Sequence, residues 1–73
     1  MSYNKEVFAA NLRAARAFLN ISQEELSKAS GVSLNAIKHY ESGSGYTPGA
    51  DKVYALCVAL GKSPNELMGW GEE

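Results

Sequence analysis

Four side chains between positions 34 and 39 have the chemistry to read the edges of nucleic-acid bases: Leu34, Asn35, Lys38 and His39. The amide of Asn35 can donate to and accept from adenine at N6 and N7, and the ammonium of Lys38 can reach guanine acceptors or a phosphate. Leu34 can contact a thymine methyl group, whereas a base contact, a phosphate contact and simple exposure are equally open for His39. The plainer interpretation is that all four form the solvated face of an amphipathic helix. The secondary structure around these four residues helps to decide between base reading and simple solvent exposure.

A pair of short helices is predicted around these residues, at 23–30 and 34–41. Ser22 can cap the first helix, because its hydroxyl can accept an orphan backbone N–H and Glu25, three residues later, can complete a capping box. Gly31 can adopt the left-handed conformation that ends the helix, since it has no Cβ atom. The pair is therefore separated by a tight turn.

The second helix of the pair has one apolar face and one polar face. Ser33 offers its cap, and helical spacing places Ile37 and Tyr40 on the inner side, opposite the four candidate base readers. Two helices, a short turn with a glycine and a polar outer face form the helix-turn-helix pattern.

A longer helix is predicted before the pair, at 4–19, because this stretch is alanine-rich and contains no glycine or proline. Asn20 tolerates the left-handed region and can end this helix. The residues that recur at helical spacing and should face the core are Phe8, Leu12, Ala15 and Leu19, flanked by Val7 and Phe18.

Two helices are predicted after the pair, at 48–60 and 64–68, followed by a frayed tail at 69–73. Thr47 can cap the first of them, with Pro48 in its opening turn. The second repeats the capping-box arrangement through Ser63 and Glu66, with Pro64 at its first position. No strand pattern is present, so the predicted fold class is all-α, a single domain over 1–73.

Composition and cysteine count exclude several classes of protein. The chain has 73 residues, of which 45% are hydrophobic and 21% charged, as in an ordinary small globular domain. No apolar run approaches the ~18 residues that span a bilayer, which predicts a cytoplasmic protein with no membrane partner. Cys57 and His39 provide too few ligands for zinc, and no catalytic constellation or phosphate-binding loop is present, so we expect no metal, no cofactor and no enzyme activity.

The net charge of −1 argues weakly against binding to nucleic acid, because non-specific phosphate binding depends on cations. Charge distribution can override the total. Three of the acidic residues, Glu66, Glu72 and Glu73, lie near the C-terminus, far in sequence from the helix pair. A locally neutral or mildly positive face is compatible with this arrangement.

The segments ISQEELSKASGVS, IKHYESG and LCVALGKSPNEL resemble the Cro/repressor-type helix-turn-helix domains, typified by the lambda-like phage repressors and Cro proteins. The resemblance extends from about Phe8 to Leu67. It implies a compact five-helix lambda-repressor-like fold of bacterial or phage origin, in which helix 2 crosses the DNA backbone and helix 3 lies in the major groove. The positions that match the family's spacing are Gln23, Leu26, Ser27, Gly31, Val32, Ile37 and Glu41.

The resemblance also implies roles for individual residues. Base contacts are expected from the four outer residues of the second helix in the pair. Phosphate contacts are expected from Gln23, Ser33, Arg13, Gly43, Gly45, Tyr46 and Thr47, and Gln23 is also expected to brace the recognition helix. The last four belong to a loop that often carries lysine or arginine in relatives and here carries neither, so backbone amides and hydroxyl groups would substitute. A low-affinity or strongly dimer-dependent binder is expected from that difference.

Two further features follow from the resemblance. Arg16 and Glu41 match a partly buried ion pair that ties the first helix to the end of the recognition helix; two separate surface charges are the alternative. Some relatives dimerise near the C-terminal end, where an apolar patch could form from Tyr54, Leu67, Met68 and Trp70. Packing of these residues on their own domain is the alternative.

The implied function is a sequence-specific regulator of transcription that binds double-stranded DNA, expected to act as a repressor. A homodimer, at least on DNA, would read a near-palindromic operator. A rival hypothesis is a protein-interaction module of the same fold, such as an antitoxin or a partner-regulated domain with weak or no DNA binding. The length fits either a whole Cro-like protein or the N-terminal domain of a longer repressor, and the residues indicate no particular small-molecule effector.

Overall fold

Local capping interactions define the first two helices. Asn4 Oδ1 accepts hydrogen bonds from the N–H groups of Glu6 and Val7 at 3.0 and 3.1 Å, so the first helix begins at the next residue, Lys5. Asn20 ends that helix in the left-handed conformation, with φ of 58°. Ser22 then starts the second helix through the predicted capping box, in which Ser22 Oγ accepts from the Glu25 N–H at 3.0 Å.

The computed structural model describes residues 4–43 and 47–69. It contains five helices in these two ranges and no strand: α1 Lys5–Leu19, α2 Gln23–Ser30, α3 Leu34–Ser42, α4 Ala50–Leu60 and α5 Pro64–Met68. The predicted all-α fold is therefore confirmed. The predicted roles of Gly45, Tyr46 and Trp70 lie outside the described residues.

The start of α4 differs from the prediction. Gly49 is the N-cap, no side chain makes a capping hydrogen bond, and Thr47 lies before the helix. Pro48 is buried ahead of the helix and Gly49 has an extended backbone, so the first helical turn begins at Ala50. Asp51 still occupies the first turn, where its charge favours the positive end of the helix.

The core lies where the inner faces of all five helices meet, and its fully buried side chains include Phe8, Leu12, Leu26, Ile37, Leu56 and Leu67. Leu19 does not belong to it and is 42% exposed. It is the last residue of α1, where the chain turns away through Asn20, and Ala9 is buried on α1 instead. Cys57 is a buried core residue, and burial, with a smaller effect from Glu66, raises the pKa of its thiol.

The C-terminal apolar residues are also placed differently from the suggested dimer patch. Leu67 and Met68 are only 1% and 6% exposed, because the short helix α5 needs both to close the core against α1 and α4. Tyr54 is 69% exposed on α4. The alternative of packing on the same domain is therefore correct for Leu67 and Met68.

Gly69, directly after α5, lies close to the first turn of α1. Gly69 has a φ of 76°, and a Cβ atom there would lie 2.6 Å from Val7 Cγ1. Asn11 Nδ2 donates to the Leu67 carbonyl at 3.1 Å and joins the same two helices. The middle of α1 is thus joined to the end of α5.

The turn between α2 and α3 is stabilised by a hydrogen bond from a side chain of α2. Ser27 Oγ donates to the Val32 carbonyl at 2.6 Å, and Gly31 ends α2 with φ of 76°. Behind the turn, the Tyr40 ring meets Phe8 of α1 edge-on, with ring centroids 5.7 Å apart. These contacts fix α3 against α2 and α1.

No helix in the described part of the chain is long and apolar enough to cross a membrane.

Candidate nucleic-acid interface

The outward face of α3 carries the four candidate base readers. Asn35 and Lys38 are exposed, whereas Leu34 and His39 are half-buried. Ser33 caps the helix directly before them, and its Oγ accepts from the Ala36 N–H at 3.1 Å. The structure therefore presents an amide and an ammonium from one exposed face at the beginning and middle of the helix.

A shallow depression beside this face joins α3 to α2. It is lined by Leu34 with Glu24, Ser27 and Lys28. Glu24 lies in the first turn of α2 and Lys28 in its last turn, so the charges beside the depression have both signs. This balance agrees with the low net charge of the chain.

Glu41, near the end of α3, is the buried polar centre behind the interface. Its side chain is 4% exposed and pairs with Arg16, whose Nε lies 2.8 Å from Oε2 and whose Nη2 lies 2.9 Å from Oε1. The two expected partners thus meet in a bidentate ion pair, the stronger geometry for arginine and a carboxylate. The same hydrogen bond raises the pKa of Arg16.

Arg16 also connects the pair to the chain ahead of α2, because its Nη1 donates to the Ile21 carbonyl at 3.0 Å. The guanidinium therefore joins α1, the approach to α2, and α3 at a single point. A buried carboxylate without partners would be costly, and in the described residues no buried side-chain polar atom lacks one.

Gln23, expected to contact a phosphate, makes a second bond to the same carboxylate. Its Nε2 donates to Glu41 Oε1 at 3.0 Å. An amide nitrogen carries two hydrogens, so a second donor is available for another acceptor. Gln23 is half-buried at the first position of α2, where the positive helix end favours an anion.

Arg13, also expected to contact a phosphate, has a protein partner that the sequence did not predict. Its Nη1 donates to the backbone carbonyl oxygen of Glu41. The signal that could have found this contact is the position of Glu41 in the last turn of a helix, where carbonyls lack intrahelical donors.

Two of the remaining candidate phosphate ligands can be placed. The Gly43 N–H bonds back to the last turn of α3, 3.4 Å from the Tyr40 carbonyl, with the His39 carbonyl as a further acceptor. In this conformation the left-handed backbone at Gly43 directs the amide toward the helix end, and the phosphate contact through this amide stays a prediction. Thr47 is exposed and its hydroxyl is accessible to solvent.

Metal ligands are not assembled in residues 4–43 and 47–69, where no group of three His, Cys, Asp or Glu side chains could hold an ion. The candidate interface combines the neutral polar side chain of Asn35 with charges of both signs, from Lys38, Lys28 and Glu24.

Comparison with known proteins assigns this arrangement to a class. The helix-turn-helix family matches residues 12–67. The chain belongs to this family, and its Cro/repressor-type character is confirmed.

One relative is the HTH-type transcriptional regulator PrtR of Pseudomonas aeruginosa, which is 42% identical over 57 residues. That match covers 78% of this chain and 22% of PrtR, so the chain spans about a fifth of the relative's length.

Three solved structures share the fold. The restriction-modification controller protein C.AhdI from Aeromonas hydrophila has a TM-score of 0.80 and 28% identity, over 86% of this chain and 94% of its own. The P22 c2 repressor, solved in complex with a synthetic operator, has a TM-score of 0.78 and 35% identity, over 85% and 92%. The clp gene regulator ClgR from C. glutamicum, at 24% identity and a TM-score of 0.77 over 100% of both chains, shares the fold alone.

Proposed function

We propose that this chain binds double-stranded DNA sequence-specifically and regulates transcription as a repressor. The observation that carries the proposal is the exposure of Asn35 and Lys38 on a helix whose opposite face is anchored by the buried Glu41. A relative named as a transcriptional regulator and a similar repressor solved on an operator support it.

The reading would take place in the major groove. Asn35 would make the bidentate contact to adenine, Lys38 would reach guanine or a phosphate, and Leu34 would contact a thymine methyl group. His39 lies at the edge of the same face, suited to either base or phosphate.

Phosphate contacts would set the register of the helix on the duplex. The second N–H of Gln23 and the hydroxyl groups of Ser33 and Thr47 are suitable donors, because phosphate oxygens accept hydrogen bonds and neutral donors position a protein without reading sequence. With so few cations at the interface, the affinity of one copy would be low and its salt dependence modest.

A homodimer on a near-palindromic operator follows from the reach of the helix. One short helix contacts few base pairs, and a two-fold dimer reads two half-sites about one helical turn apart. Tyr54, 69% exposed on α4, is the described residue of the suggested patch that remains available for such an interface. A bacterial or phage regulator of this kind would act in the cytoplasm.

Selection from a randomised DNA pool at two salt concentrations tests the proposal. We expect enrichment of a near-palindromic site and weaker binding at the higher salt concentration. Failure to enrich any site, together with capture of a tight protein partner, would overturn it in favour of the interaction module.

A further inference from the structure

The last turn of α3 needs hydrogen-bond donors from outside the helix. Carbonyl groups in the final turn of any helix have no N–H four residues later to accept from. In α3, the His39 carbonyl accepts from Ser42 Oγ at 2.8 Å, and the Tyr40 carbonyl accepts from the Gly43 N–H. The carbonyl of Glu41 receives its donor from another helix, through Arg13 of α1.

The donor from Arg13 also carries the charge that this helix end favours. The C-terminal end of a helix bears a partial negative charge, which a nearby cation stabilises. The only basic residue in the last turn of α3 itself is His39, and Arg13 brings a guanidinium to the same end from α1. Arg13 lies three residues before Arg16 on α1, so one helix holds both the main chain and the side chain of Glu41.

We propose that Arg13 is a positioning residue for DNA reading, which acts by holding the end of the recognition helix and not by contacting a phosphate. Asn35 lies six residues before Glu41, about 9 Å along the helix at 1.5 Å per residue. A tilt of about 6° at the held end would displace the base-reading amide by about 1 Å, enough to weaken a bidentate contact. The inference rests on the proposed function.

The variant Arg13→Gln tests this role, with Lys52→Gln as the matched control. Both remove one positive charge, but Lys52 lies on α4 with the Asp51 carboxylate 3.7 Å away. The first measurement is amide hydrogen exchange in the protein without DNA. We expect Arg13→Gln to accelerate exchange at Gly43, at the end of α3, and Lys52→Gln to leave it unchanged.

The second measurement compares the selected operator with unrelated DNA over a range of salt concentrations. We expect Arg13→Gln to weaken operator binding about tenfold, with binding to unrelated DNA and the salt slope unchanged. A phosphate contact would instead weaken both DNAs alike and lower the slope by about 0.9.

Equal losses on both DNAs, or unchanged exchange at the end of α3, would overturn the positioning role. If the wild-type protein selected no site at all, the proposed function would be refuted. The role of Arg13 in DNA reading would then be refuted as well. The exchange measurement would then still decide whether Arg13 holds α3, so the two failures are distinguishable.

Discussion

Glu41 concentrates the polar interactions of the molecule at one residue. Its carboxylate accepts from Arg16 and Gln23, and its carbonyl accepts from Arg13. Partners from α1 and α2 thus converge on the end of α3. The Glu41 carboxylate is tolerated at 4% exposure because it is paired. Removal of a single partner should therefore destabilise the fold, even where that partner lies away from the DNA-reading face.

Replacement of Arg16 by Ala should destabilise the fold by about 3 kcal/mol, because it leaves the Glu41 carboxylate buried without its cation. Urea unfolding measures the change, with Glu24→Ala as a control at an exposed acidic residue of α2. The double variant Arg16→Ala/Glu41→Ala should lose less than the sum of the two single changes. Additive losses would contradict the pairing.

Asn35→Ala and Gln23→Ala should impair DNA binding in different ways. Loss of the Asn35 amide should relax base preference at one position in each half-site by about 1–3 kcal/mol. Loss of Gln23 should weaken all sequences about equally, because its free donor is expected to face a phosphate. Competition binding with single-base operator variants distinguishes them, and the reverse pattern would refute the assigned roles.

At the level of helices, the predictable features are those determined over a few residues. The caps at Ser22 and Ser63 and the left-handed turn at Asn20 depend on local hydrogen bonds and were predicted correctly. The start of α4 depends on the packing of Pro48. The burial of Leu67 and Met68 depends on how α5 closes the core. Such tertiary contacts leave no local pattern in the sequence.

The same distinction applies to the candidate interface. The family resemblance predicted the pairing of Arg16 with Glu41. Helical periodicity predicted which side chains lie on the outward face of α3. The family resemblance implied that Gln23 braces the recognition helix, and the structure shows that it does so through the Glu41 carboxylate. The bond from Arg13 to Glu41 was not predicted, because it joins helices whose relative orientation the sequence does not show.

The capping box of α5 should make stability depend on pH through Glu66. Its carboxylate accepts from the Ser63 N–H at 2.8 Å, and this backbone hydrogen bond, the largest influence, lowers the pKa of Glu66. Because the folded-state pKa lies below the ordinary value, the group stabilises the fold at neutral pH, and the contribution is lost as pH falls through the folded-state pKa.

Glu66→Gln should therefore lower the thermal midpoint at pH 7, and the gap to the wild type should close in acid. Ser63→Ala removes the hydroxyl group that accepts from the Glu66 N–H at 3.2 Å, a bond that does not depend on ionisation, so part of its deficit should persist in acid. A gap for Glu66→Gln that widened in acid would contradict the sign of the pKa shift. Thermal unfolding followed by circular dichroism provides the measurement.

For the molecule as a whole, the distribution of exposed apolar residues bears on self-association. Tyr54 and Val58 lie one turn apart on the outer face of α4, at 69% and 65% exposure, while Phe18 is 85% exposed on α1. The groove beside Tyr54 is apolar and has a volume of about 350 Å³, with Pro48, Val53 and Met68 among its lining residues. This region is the described surface best suited to a second copy.

Tyr54→Glu should reduce binding to a two-half-site operator by about tenfold or more while leaving a single half-site unaffected, because it places a charge in the proposed apolar interface. Phe18→Glu provides the control, since it makes the same change on another exposed apolar residue. Gel shifts with full and half operators, together with sedimentation of the free protein, measure the effect. Equal responses of the two variants would exclude this α4 surface.

The approach of Gly69 to Val7 has a consequence for the connectivity of the fold. Gly69 lies beside Val7, and Asn4 lies one helical turn before Val7 in the chain. A short glycine-rich linker from Gly69 to Asn4 should therefore allow circular permutation, with new termini opened between Gly43 and Thr47. Such a permutant would keep the contacts from Arg13, Arg16 and Gln23 to Glu41. The recognition helix should then pack as in the natural chain, although the helices follow one another in a different order.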